Sequence, residues 1–151
     1  LVLGKFLAGM GLWLLFLLGT GPAVLLLFAL GDPDGGLILS SYLGALFLGA
    51  LLLAQALFFS SLTREVVVAF LTGCAGSVLF LASGAPTLTA TLDGLAPELA
   101  PGSLLAEHLS ALVRYDAFCA GFIGLGESAW LLGTTAVFLA LNTWTVRNVR
   151  D

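Results

Sequence analysis

Residues 42–83 read YLGALFLGALLLAQALFFSSLTREVVVAFLTGCAGSVLFLAS, two long apolar runs separated by Thr63, Arg64 and Glu65. The runs, 42–62 and 66–83, hold no charged residue, and at about 1.5 Å per residue each approaches or reaches the roughly 30 Å of a hydrocarbon core. Two adjacent charges between two such runs mark the place where the chain meets water. An interruption this short leaves no slack, so the two helices are expected to be antiparallel neighbours.

Composition supports a membrane setting. Only 9% of the 151 residues are charged and 60% are hydrophobic, against about 25% charged in ordinary soluble domains. The mean hydropathy is +1.12. So few charges cannot cover a water-facing surface, and the surface is expected to face lipid. The net charge of −4 comes from scattered acidic residues with no like-charge block, and no nucleic-acid partner is expected.

Two further apolar runs, 6–30 and 128–146, complete four expected spans in an all-α, polytopic chain forming a single transmembrane domain. The run from Phe6 is far longer than the roughly 7–15 residues of a signal-peptide core. Gly19, Gly21 and Pro22 cluster toward its far end, where a missing backbone donor favours a kink. GDPDGG at 31–36 has the residue types that reverse a chain. Segment 84–127 divides at its prolines: 85–103 is expected to be a loop. From Leu104 the spacing of Leu105, Leu109, Leu112 and Val113 predicts an amphipathic helix at the interface, with Glu107, His108, Ser110, Arg114 and Asp116 between them. Phe118 to Leu125 is too short to span and reads as a re-entrant or interfacial piece.

Four alternating spans put Lys5, Arg64, Arg147 and Arg150 on one face and only Arg114 on the other. By the positive-inside rule the first face, with both ends of the chain, is cytoplasmic. The chain starts at Leu1 without a methionine and reads as a fragment.

Few residues invite chemistry. Ala69, Gly73 and Ser77 recur every four residues, the spacing that lets helix backbones approach closely in lipid, either within one subunit or between two. Gln55 and Asn142 are amides inside spans and need partners there, so they are expected to face other helices. The spans carry no carboxylate or basic residue well inside them, which weighs against a proton-driven carrier or ion pump. His108 is the only histidine, so neither a bis-histidine haem nor a multi-histidine metal site can form within the chain. GFIGLGES at 121–128 lacks the G-x-G-x-x-G order, and Lys5 follows no phosphate-binding loop. No catalytic, cofactor or metal residue is expected. Cys74 and Cys119 read as unpaired thiols.

Several stretches together resemble the permease subunits of type-2 ABC transporters, in the branch related to gliding-motility permeases. They are the entry Gly4-Lys5-Phe6, the turn Gly31-Asp32-Pro33-Asp34, the helix start at Tyr42-Leu43-Gly44, the turn Ser60-Ser61-Leu62-Thr63, and an ending, 108–150, in which interfacial and re-entrant pieces precede a last helix with an arginine-containing tail. The resemblance implies six spans in the plasma (inner) membrane, two of them before Leu1. It also implies a second permease copy, identical or different, and a separate ABC ATPase subunit. Matched to the family's S-L-T-E-N turn, Arg64 stands where an acidic residue is usual and Glu65 one place later, and this turn is expected to face the ATPase. The competing reading is a non-transporting membrane anchor or assembly subunit. An enzyme is disfavoured, since only Glu107, His108 and Asp116 are titratable neighbours.

Overall fold

A computed structural model describes residues 2–63, 65–83, 85, 90, 93–94 and 110–148. The main helices are α1 (Val2–Gly19), α2 (Gly21–Leu30), α3 (Gly35–Leu62), α4 (Val66–Ala82), α5 (Ala111–Cys119) and α6 (Leu125–Asn148), and no strand occurs among the described residues. Among the described residues three stretches are long and apolar enough to cross a bilayer: Val2–Leu30, Gly35–Leu62 and Leu125–Asn148. The helix α4, with 17 residues, is the shorter apolar one, about 26 Å at 1.5 Å per residue. Leu18, Leu25, Leu30, Val66 and Phe70 are exposed. Such a surface is tolerated where lipid is the solvent.

The boundaries move outward from those expected, for local reasons. The span placed at 42–62 begins seven residues earlier, at Gly35, because the Asp34 carboxylate accepts the amide of Gly36 at 2.9 Å and caps the helix. The turn at 31–36 is therefore shorter than its composition suggests, with Gly35 and Gly36 already helical. The last span begins at Leu125, not Ser128. The Glu127 carboxylate folds back over Gly124, and Ser128 Oγ donates to the Gly124 carbonyl at 2.9 Å. The first stretch is interrupted at Thr20, where its amide bonds the Leu17 carbonyl at 3.1 Å, one residue tighter than an α-helix. Pro22, which has no N–H to donate, follows in the first turn of α2.

Most of the packing among the described helices is organised around α3, which touches α1, α4, α5 and α6. Its glycines serve as sockets. Gly49 receives the indole of Trp13 from α1, and Gly44 receives Phe118 and Tyr115 from α5. Without a hydrophobic drive between helices in lipid, such close approaches supply dispersion contact. The run of contacts Gly9 to Leu53, Trp13 to Ala45 and Thr20 to Tyr42 makes α1 antiparallel to α3. Leu51, Ala111, Phe118 and Leu131 form the buried centre, with Phe47, Leu48, Phe80, Trp130 and Phe138 packed around it. Phe58 and Phe80 both meet Phe138, at centroid distances of 5.9 and 6.0 Å, and tie α3 and α4 to α6.

The amphipathic helix expected from Leu104 is described from Ser110 onward, and Leu105, Glu107, His108 and Leu109 lie outside the described residues. Its packed face is not the Leu112/Val113 stripe. Ala111 and Phe118 are buried, while Leu112 and Val113 are exposed. Two interactions fix this rotation. The Ser40 hydroxyl on α3 donates to the Phe118 carbonyl at 2.7 Å, and Arg114 lies over the Trp130 ring, 4.0 Å from its centroid. A helix between protein and lipid can be apolar on both sides, so hydrophobic spacing alone does not reveal which side packs.

The piece expected to re-enter the membrane at 118–125 is a turn among these residues. Gly121 has φ +85°, its amide bonds the Phe118 carbonyl at 3.0 Å, and the Phe122 amide bonds the Ala117 carbonyl at 3.0 Å. This is a Schellman ending, and the left-handed residue is glycine because a Cβ there is strained.

Candidate functional site at the α3–α4 hairpin

The link between α3 and α4 is three residues long. Thr63 and Glu65 are both extended, the Thr63 hydroxyl donates to the Glu65 carbonyl at 3.3 Å, and the same carbonyl accepts the Ala69 amide that opens α4. The Glu65 side chain is exposed and makes no capping bond, so it is presented to the surroundings. Arg64 lies outside the described residues.

A groove of about 670 Å³ starts at this link and runs along both helices. Ala56 and Ser60 of α3 line one wall, and Ala69, Gly73 and Ser77 of α4 line the other. Thr63 and Glu65 close its end. The small-residue stripe read from the sequence therefore lines this groove, with Gly73 itself buried. A Cβ on Gly73 would meet nothing within 4 Å. The glycine that carries the contact between α3 and α4 is Gly76, where a Cβ would run into the Phe59 ring and lie 2.9 Å from Gln55 Nε2.

Gln55 itself is 1% exposed, and its Oε1 has no hydrogen-bond partner. An unmet buried acceptor costs about 1–3 kcal/mol. Asn142, on α6, is 3% exposed. Thr135 on the same helix is buried but satisfied, since its hydroxyl donates to the Leu131 carbonyl at 2.7 Å. The helix bundle thus encloses two amides.

At the opposite end of α3, α5 carries the other polar constellation. Ser110 caps it by accepting the Val113 amide at 3.2 Å, and the Ser110 carbonyl accepts from Arg114 Nη1 at 3.1 Å. The Tyr115 phenol is held above its ordinary pKa. A hydrogen bond with Cys119 is the largest cause, followed by burial and by the charges that Cys119 and Asp116 carry when ionised. Asp116 is exposed. Glu107 and His108, its suggested companions, lie outside the described residues. Among the described residues no cluster of His, Cys, Asp or Glu could hold a metal. Cys74 and Cys119 are free thiols, the first exposed and the second half-buried.

Sequence reasoning missed the socket pairs Trp13–Gly49, Phe118–Gly44 and Phe59–Gly76. Their one signal was a glycine inside a run otherwise suited to a helix, where it costs about 1 kcal/mol relative to alanine. The Arg114–Trp130 contact joins residues sixteen apart across a turn and left no local signal. Compared with protein families, with curated proteins and with solved structures, the chain finds no match in any of the three.

Proposed function

We propose that this chain is the membrane-spanning portion of an exporter permease, working beside a second permease copy and driven by a separate ABC ATPase subunit. In this reading α4 is also a span, the third of four in chain order. The chain ends and the 63–65 link face the cytoplasm of the cell that carries it in its plasma membrane. The chain performs no covalent chemistry. ATP binding and hydrolysis on the partner rock the helices, and the path opens between two copies.

The observation that carries the reading is the continuity of one groove. The small-residue face suited to a second copy, Ala69, Gly73 and Ser77, runs without a break into the link that would meet an ATPase, at Thr63 and Glu65. Movement imposed at Glu65 would pass directly along α4 to the subunit contact. The ordered motifs at Gly4-Lys5-Phe6, 31–34, 42–44 and 60–63 support the same assignment.

Purification from detergent-solubilised membranes tests it. The chain should bring down a protein with the phosphate-binding motif G-x-x-x-x-G-K-[ST] and ATP hydrolysis that accompanies it. Arg64→Glu with Glu65→Arg should remove that partner and leave the chain monodisperse. Recovery with other membrane subunits and no ATPase would replace the exporter with an assembly subunit.

A further inference from the structure

The first membrane stretch contains a device that its composition does not require. The helix α2 is ten residues long and has no buried residue. It stands off α3 across an apolar cleft of about 590 Å³, lined by Leu17, Leu25, Phe28, Ile38, Leu39 and Tyr42. Both ends of α2 are backbone irregularities. At Thr20 the helical ladder tightens by one residue, and Pro22 supplies no amide. At the other end Gly31 is extended, at φ −162° and ψ −168°. Gly19 and Gly21, which flank the first irregularity, meet nothing within 4 Å of where a Cβ would stand. A short helix therefore lies between two irregular joints, beside a space it could fill.

A single polar tie crosses from the joint at Thr20 to α3. Thr20 Oγ1 donates its proton to the Leu17 carbonyl at 2.6 Å, which leaves its lone pairs to accept from the Tyr42 hydroxyl. Tyr42 also lines the cleft. With its hydroxyl held at Thr20, the ring is a spacer between α2 and α3. Closing the cleft would require the ring to leave that position and the bond to break.

We propose that α2 is a rocking rod, propped away from α3 by the Thr20–Tyr42 hydrogen bond, and that releasing the prop lets α2 close on the cleft. The device depends on residues of this chain alone and stands whether or not the exporter reading does. Its two states differ by the packing of Leu25 and Phe28 against Ile38 and Leu39 on one side and the hydroxyl pair on the other. A balance between such small terms is what a movable element needs.

Spin labels at Ala29→Cys on α2 and Ser41→Cys on α3, in full-length protein with Cys74→Ala and Cys119→Ala, report the distance in phosphatidylcholine nanodiscs. Tyr42→Phe should raise the ratio of short to long distances roughly fivefold, the equivalent of one lost hydrogen bond of about 1 kcal/mol. Adding Gly21→Ala with Pro22→Ala, which restores an amide and stiffens the joint, should abolish the short component. Retained helix content by circular dichroism and a single chromatographic peak will show that each variant folds. If Tyr42→Phe leaves the ratio unchanged or shifts it toward longer distances in folded protein, the prop does not exist. If the short component survives in the stiffened variant, the joint at Thr20 is not the hinge.

Discussion

Trp13 donates its indole N–H to the carbonyl of Ala45 at 3.1 Å, and its ring fills the place a side chain on Gly49 would occupy. One residue of α1 thus fixes both the height and the closeness of its approach to α3. The two contributions separate by mutation. Trp13→Phe keeps much of the ring and loses the donor, with an expected cost of about 0.5–1.5 kcal/mol. Gly49→Ala forces the ring out of its socket and should cost about 1–3 kcal/mol. Because both act on one contact, the double variant should be less destabilised than the sum. Reversible unfolding in mixed micelles measures all three.

Gly73 and Gly76 lie three residues apart on α4, but their surroundings are opposite. A methyl group at Gly76 meets Phe59 and Gln55, and one at Gly73 meets nothing. Gly76→Ala should therefore destabilise the folded chain by about 1–3 kcal/mol. Gly73→Ala should leave it within about 0.5 kcal/mol of the parent. Gly73→Leu, which fills the open groove, should remain neutral for folding while weakening self-association measured by energy transfer between labelled copies in liposomes. Equal loss of stability at both positions would mean that the groove is closed by the chain itself.

How much was legible follows from which physics is local. Helix type and rough extent came from runs of apolar residues, because backbone groups in lipid must be satisfied within the segment. The adjacency of α3 and α4 followed from the three-residue link at 63–65. Legibility failed where two faces of a helix are equally apolar. Leu112 and Val113 marked an apolar stripe on α5, but the side that packs on the bundle is that of Phe118 and Ala111, since the deciding features are Gly44 and Ser40 some seventy residues earlier. The Ala69-Gly73-Ser77 spacing was visible, whereas its facing an open groove depended on Gly76 taking the internal contact. The Asp34 cap was readable in retrospect, as an acidic residue directly before the first helical turn.

Gln55 offers a test of what its burial costs. Its Oε1 has no partner at 1% exposure, so replacing the amide with an apolar group of similar shape removes a desolvation penalty and no made bond at that atom. Gln55→Leu should leave stability unchanged or raise it by about 1 kcal/mol. If transport by a reconstituted complex falls at the same time, the amide is kept for function at the expense of stability, as strained or unsatisfied groups at working sites are. A loss of stability above about 1 kcal/mol would show that the amide is satisfied in the bilayer.

Tyr115 provides a pH signal from the end of α3 opposite the 63–65 link. Its folded-state pKa is raised above the ordinary 10.0, so the folded chain holds the phenolic proton more tightly than the unfolded chain. The stability this contributes is complete below about pH 10 and is lost as pH rises through the folded value. The chain has two tyrosines, so Tyr42→Phe leaves Tyr115 as the sole phenol. The midpoint of phenolate absorbance in that variant should lie above pH 10. Cys119→Ala removes the hydrogen bond that is the largest cause of the shift, and should bring the midpoint back toward 10 without unfolding α5. A midpoint that stays in place would assign the shift to burial beside Gly44, and Gly44→Ala, which displaces the ring, would then be the variant that lowers it.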